Sequence, residues 1–375
     1  MNRLKTATDQ NRSFDCRASL QKLISLAMLS LTGLSLTGFP AALAAQAPAE
    51  TVVDELRPTE IITLGTAGGP VLSKNRSEPA TLLIVNGQHY LFDCGTGTVR
   101  QLLLAGQVPT DVRAIFITHQ HPDHNLGLAE MVGNVAMEYA WSGAKRGWSI
   151  LGPAGTGEMV EAAQRFYAVP YDVFYAEHLL GNVSSQASKA AITVTDIKTD
   201  GVVFRDENIE VTAAENSHFQ LMDETVGTKS FSYRVKTPDA IIVITGDTGM
   251  SDALTELSRD ADILISESMD MIAIRKYIEA QAEMGIIASE AVEPSMAHLR
   301  AGHLDLPEVG HIASSAGVNT VLLTHFGPEA NATSPDKIID AVGAAFDGPI
   351  FAAKDLDRYC VVPKAEDGRG RLKAC

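Results

Sequence analysis

From residue 59 onward, apolar residues come in short blocks broken by polar and glycine-rich stretches, a pattern that predicts strands first and helices later. Residues 60–64 form one apolar run. Residues 81–85 and 89–92 flank Asn86-Gly87, the pair best able to occupy the two positive-φ positions of a tight hairpin turn. A strand over 112–118 ends in histidines. Further strands are predicted over 149–151, 191–197, 209–213, 230–235, 240–244, 261–266, 318–324 and 349–353. Helices are predicted over 98–105, 126–138, 155–166, 251–258, 307–316 and 335–346. The Met- and Ile-rich segment 269–296 reads either as a helical cover over a site or as a homodimer contact. Meandering strands followed by alternating helices and strands predict a layered α/β sandwich.

The composition of 45% hydrophobic and 20% charged residues is that of a folded chain, not a disordered one. The first 47 residues have a different pattern. Arg3, Lys5, Arg12, Arg17 and Lys22 precede an apolar stretch, 23–43, that Gly33, Gly38 and Pro40 interrupt. Ala42-Leu43-Ala44 and Ala45-Gln46-Ala47 are both suitable peptidase sites. The reading is a cleaved leader over 1–47, a linker over 48–58, a folded domain over 59–357 and a tail over 358–375. A periplasmic or secreted location follows, with no stable membrane anchor; a retained anchor is the alternative. The formal net charge of −16 opposes phosphate backbones, so no nucleic-acid partner is expected. Cys94 is expected to be a small buried hydrophobe. Cys360 and Cys375 are either a disulfide pair or two free thiols.

The chemistry concentrates in His119-Gln120-His121-Pro122-Asp123-His124, directly after the predicted strand. Three of the ten histidines fall within these six residues, which a chance polar turn does not explain. Imidazole and carboxylate together suit zinc and related divalent ions. The spacing allows His119 and His121 to share one metal while Asp123 and His124 turn toward another. His218, Asp247 and His325 each follow a predicted strand and can complete a two-metal site. Of these three, only Asp247 has the two oxygens needed to bridge.

The run at 119–124 followed by His218, Asp247 and His325 resembles the ligand order of the metallo-β-lactamase superfamily. The resemblance covers roughly residues 59–357 and implies a four-layer αββα sandwich. Within the superfamily the chain is similar to the branch of ribonuclease Z and the arylsulfatase-like hydrolases. The matching stretches are Leu64-Gly65-Thr66-Ala67-Gly68-Gly69, Asp93-Cys94-Gly95-Thr96-Gly97-Thr98, Gly152-Pro153-Ala154-Gly155-Thr156 and Gly246-Asp247-Thr248. The stretch from His303 to Phe326 resembles the branch's histidine-bearing helix and last ligand strand, and Phe346-Asp347-Gly348-Pro349 through Asp355-Leu356 resembles the arylsulfatase-like ending. Leu304 stands where the branch often has a hydroxyl residue, and no glycine- and basic-rich arm of the ribonuclease Z kind is present.

The resemblance implies two divalent ions, zinc with manganese or iron as alternatives. His119, His121 and His218 would hold the first, Asp123, His124 and His325 the second, and Asp247 would bridge. Two ions about 3.5–4 Å apart activate a shared water. Asp123 and His303 are the residues assigned to catalysis, His303 as the acid that protonates the leaving oxygen; His298 is its rival, disfavoured by the spacing to His325, and His311 is read as a helix-packing or surface residue. Lys74 and Arg76 are candidates for meeting an anionic substrate, and the aromatic residues of 138–148 and 166–175 line an apolar pocket or are ordinary core or a dimer interface. The expected function is an exported hydrolase of small-molecule esters, a sulfate ester or phosphodiester. A lactone or carboxyl-ester substrate is the alternative, and a non-catalytic binding protein is the alternative of another class.

Overall fold

The computed structural model describes residues 57–142, 147–177, 192–222, 226–328, 333–362 and 370–375. They belong to one unit, Glu55–Cys375. The expected leader, all of the expected linker but its last two residues, and His178 lie outside the described residues.

Two sheets carry the fold. The first contains β1 (Glu60–Gly65), β2 (Ala80–Val85), β3 (Gln88–Phe92), β4 (Val112–Phe116), β5 (Trp148–Pro153) and β6 (Ile192–Ile197). The second contains β7 (Gly201–Arg205), β8 (Glu210–Glu215), β9 (Phe231–Lys236), β10 (Ile241–Ile244), β11 (Ile263–Ser268), β12 (Thr320–Phe326) and β13 (Ile350–Ala352). The chain then returns to the first sheet with β14 (Asp357–Val362) and β15 (Arg371–Ala374), giving the orders β15-β14-β1-β2-β3-β4-β5-β6 and β13-β12-β11-β10-β9-β8-β7. Asn86 and Gly87 make the predicted turn, with φ of 49° and 77°.

The period of two along each strand sorts side chains between layers. In β3, Tyr90 and Phe92 face the other sheet while Leu91 faces the helices. In β11, Ile263 and Ile265 face inward and Leu264 outward. Phe92 and Phe116 stack between the sheets at 4.8 Å, with Tyr233 of the opposite sheet tilted against both. Helices α1 (Thr98–Leu104), α2 (Pro122–Ser142) and α3 (Thr156–Glu177) cover the first sheet. Helices α4 (Asp252–Leu257), α7 (Leu306–Ser315) and α8 (Pro335–Gly343) cover the second. Between α4 and α7 lie α5 (Met271–Glu283) and α6 (Val292–Gly302), which pack around their own cluster of Met269, Met271, Ile274 and Met296. The fold is therefore the expected αββα sandwich.

Several boundaries differ from the sequence reading. β7 was not anticipated; its residues are exposed or half-buried, so it lacks the apolar contrast that marks a strand. Residues 358–375 do not form a separate tail, because β14 and β15 are the outer strands of the first sheet. β14 opens on Asp357 and Arg358 and β15 alternates charge with Leu372, which hides both from a hydrophobicity pattern. Helix α2 begins at Pro122, four residues earlier than predicted, since proline suits a first helical position. Cys360 and Cys375 are disulfide-bonded, and Cys94 is buried and free. Among the described residues no helix is long and apolar enough to cross a membrane.

Candidate metal centre

The site lies where strands of both sheets end. After β4 the chain passes through Thr118 and His119, both fully buried, and Pro122 then turns it into α2. His119 and His121 thus precede the helix while Asp123 and His124 occupy its first turn. Asp93, at the end of β3, organises this turn. Its Oδ1 accepts from the Thr118 N–H at 2.8 Å and its Oδ2 meets His124 Nδ1 at 2.8 Å, which leaves His124 Nε2 facing the site. His218 follows β8 and donates from Nδ1 to the Gly302 carbonyl at 2.7 Å, so its Nε2 also faces inward, 3.1 Å from His121 Nδ1.

Asp247 follows β10 through Gly246, whose φ of 58° permits the turn; a side chain there would press on Thr118. Its Oδ1 lies 3.3 Å from His124 Nε2 and 3.1 Å from His325 Nε2, and its Oδ2 lies 3.8 Å from His119 Nε2. His325 is the extra residue of a bulge. The β11–β12 register runs Glu267 to Thr324 and then Ser268 to Phe326, and His325 between them has φ of 51°. A left-handed conformation at a non-glycine residue is strained by about 1–3 kcal/mol and persists where the surroundings enforce it.

The structure brings all seven predicted ligands together. His119, His121, His218 and Asp247 offer donor atoms within 4.8 Å of one another, and so do Asp123, His124, Asp247 and His325. Asp247 is common to both, and also to a third group with Glu267, His303 and His325. His303 caps the end of α6, and its Nδ1 sits 2.8 Å from Glu267 Oε2 at the edge of the site. Glu267 and Asp93 are functional-site residues that the sequence reading missed. Both are buried carboxylates at strand ends, the one signal that could have raised them. His298 and His311 are exposed, and His89 is buried against Gln107, away from the cluster. The Arg76 guanidinium is spent on Thr66 and the Ala353 carbonyl and lies over the Phe326 ring. Lys74 lines a cavity of about 200 Å³ beside the site, with Gly68, Tyr277 and Phe326. Of the aromatic residues between 138 and 175, Trp148 and Tyr171 are buried core, whereas Phe166 is exposed.

Three observations fit a divalent cation here. The side-chain atoms His119 Nε2, Asp247 Oδ1 and His325 Nδ1 are buried without a hydrogen-bond partner, a costly state that coordination relieves for the two that face the donor groups. The donors are imidazole and carboxylate, the set that holds zinc and similar ions. Burial holds His119 and His218 neutral, His218 down to about 3, so their lone pairs are free. Burial opposes protonation of His124 and His325 too, but Asp247 and its neighbouring carboxylates outweigh it and push His325 up to about 10. This half of the site is a trap for positive charge.

Comparison with known proteins places this arrangement in a family. Residues 88–326 match the family described as "Beta-lactamase superfamily domain". The chain is a member of the β-lactamase superfamily. Within the superfamily, the relatives it is similar to are named ribonuclease Z. Ribonuclease Z of Thermobifida fusca (strain YX) is 26% identical over 338 residues, covering 84% of this chain and 98% of that protein. Ribonuclease Z of Methanothermobacter thermautotrophicus is 28% identical over 331 residues, covering 82% and 98%. The crystal structure of human tRNase Z, short form, shares the fold with a TM-score of 0.52 at 21% identity, covering 80% of this chain and 98% of that one. This superfamily member is a metal-dependent hydrolase that acts on ester bonds.

These relatives correct three expectations. The exported sulfate-ester or small-molecule esterase reading is overturned, because relatives matched across nearly their whole length are named ribonuclease Z. The expectation of no nucleic-acid partner falls with it. Net charge is a sum over the whole chain, and binding at a site is decided by the field of the site itself. The periplasmic or secreted location is withdrawn on the same finding, since it rested on the pattern of residues 1–47 alone.

Proposed function

We propose that this protein is a ribonuclease Z-type phosphodiesterase that uses two divalent ions, zinc by its donor set, to cleave a phosphodiester bond in RNA such as a transfer RNA. The observation that carries the reading is Asp247, whose carboxylate is shared by the group of His119, His121 and His218 and the group of Asp123, His124 and His325. His119, His121 and His218 would hold one ion, and Asp123, His124 and His325 the other. Bound there, the pair would supply an activated water and stabilise negative charge on the phosphoryl oxygens.

The chain's own residues do the rest. Asp93 and the Gly302 carbonyl fix the tautomers of His124 and His218 so that Nε2 of each points inward. Glu267 holds His303 by Nδ1 and, with Asp247, outweighs the effect of burial on that imidazole, raising its pKa above the ordinary histidine value. A protonated His303 would give its Nε2 proton to the departing ribose oxygen. The catalytic unit is read as running from residue 59 through β15.

The test is the purified protein, assayed for metal content and offered an unprocessed transfer RNA carrying a 3′ extension alongside bis(p-nitrophenyl) phosphate. Two equivalents of metal and endonucleolytic release of the extension are expected. Cleavage of the chromogenic diester with the RNA left intact would defeat the RNA assignment while leaving the phosphodiesterase; inertness toward both would defeat the function.

A further inference from the structure

The loop between β1 and β2 is tied at both ends to one carboxylate outside the ligand groups. Asp355 Oδ1 accepts from the Thr66 N–H at 3.0 Å and from its hydroxyl at 2.6 Å. Asp355 Oδ2 accepts from the Ser77 N–H at 2.6 Å and from Gln101 Nε2 at 3.0 Å. The neck is closed by the Ala67 N–H bonding to the Ser77 carbonyl at 2.9 Å.

From this neck the loop reaches the metal centre. The Gly68 N–H donates to the Phe326 carbonyl at 2.7 Å, and the Gly69 N–H donates to Asp123 Oδ2 at 2.8 Å. That same oxygen lies 3.5 Å from both His124 Nε2 and His325 Nε2. The approach leaves no space for side chains. A Cβ on Gly68 would stand 2.7 Å from the His325 ring, and one on Gly69 would stand 2.5 Å from Asp123 Oδ2. The loop therefore presses on two of the three side chains unique to the second ligand group, and on neither His119 nor His121 among the contacts of these glycines.

We propose that Asp355 is a positioning residue: by pinning both ends of the glycine loop it fixes the Gly69–Asp123 hydrogen bond and thereby sets the affinity of the second metal position. The inference rests on the two-ion reading above. Four donors converge on the Asp355 carboxylate. An asparagine there offers one acceptor oxygen and turns an NH₂ toward the remaining donors, so Asp355→Asn loosens one end of the neck without altering its size.

The experiment titrates the metal-free full-length protein with zinc ions in competition with a chromogenic chelator, reading each binding step separately, with thermal melting of the metal-free form to verify folding. The wild type is expected to bind two ions. Asp355→Asn is expected to weaken one step by about 10–100-fold, the usual range for losing an outer partner of a ligand, and to leave the other unchanged. Gly69→Ala should produce the same selective loss, and adding Asp355→Asn to it should cost little more. Should Asp355→Asn fail to fold, Thr66→Val removes a single donor of the neck and should give a smaller loss in the same step. Unchanged titration of folded Asp355→Asn, or equal weakening of both steps, overturns this inference and leaves the two-ion reading intact. A wild type that takes up only one ion overturns both.

Discussion

At the scale of single residues, the centre divides into side chains that meet the proposed ions and side chains that aim them. Asp247 has the least replaceable place, since it belongs to both ligand groups. Asp247→Ala is expected to leave less than one equivalent of metal in the purified protein, against two in the wild type, by elemental analysis. His303 is different: it shares a donor group with Asp247, Glu267 and His325, but its Nδ1 is held by Glu267 at 2.8 Å, so His303→Ala is expected to retain the metal. Its turnover should fall by about 10²–10⁴-fold, the usual contribution of a general acid, with little change in KM. Loss of metal from His303→Ala would make His303 a ligand and remove the acid assignment. His119, His121, His124 and Asp123 were legible as a sequence motif because they crowd into six residues. Glu267 and Asp93 were not, since one buried carboxylate at a strand end looks like any other until its partner across the fold is known.

At the scale of elements, the site is an arrangement of strand ends held at fixed heights by helices. Helices α7 and α8 pack so closely that a Cβ on Gly310 would fall 2.2 Å from the Val342 carbonyl oxygen. Gly310→Ala should therefore force the helices apart and destabilise the protein by about 1–3 kcal/mol, as overpacking does. Denaturant unfolding checks the loss, and metal content should be unchanged, because neither helix carries a ligand. The strands β14 and β15 are joined at one end by the Cys360–Cys375 disulfide, with 15 residues of sequence separation. Cys360→Ser in the oxidised protein should cost about 3 kcal/mol by the loop-entropy relation. These outer strands escaped the sequence reading because half their positions are charged or exposed. β2, β3 and β11 did not escape it, because burial on both faces gives each at least three adjacent apolar residues, Leu82 to Val85, Tyr90 to Phe92 and Ile263 to Ile265.

At the scale of the whole molecule, metal and fold are linked. A ligand that binds only the folded state at 100 times its Kd adds about 2.7 kcal/mol. Stripping the metal with a chelator should then lower Tm by about 5 °C or more for a domain of this size. With Lys74 and Arg76 the cations lining the cavity beside the site among the described residues, the log–log dependence of RNA affinity on salt should be shallower than about −2, the value for roughly three phosphate contacts to a single strand. A steeper slope, measured by filter binding across a salt series, would show a basic surface beyond the site described.

By itself, the order of residues determined the alternation that makes two buried sheets, the turn at Asn86-Gly87 and the histidine cluster, since each of these is written in neighbours a few positions apart. Only the tertiary structure decided that β14 and β15 complete the first sheet, that His325 is a bulged residue, and that Glu267, Asp93 and Asp355 stand behind the centre. Those facts depend on contacts between segments up to some 290 residues apart, such as Thr66 with Asp355. Local periodicity carries no information about which distant strand end comes to face which.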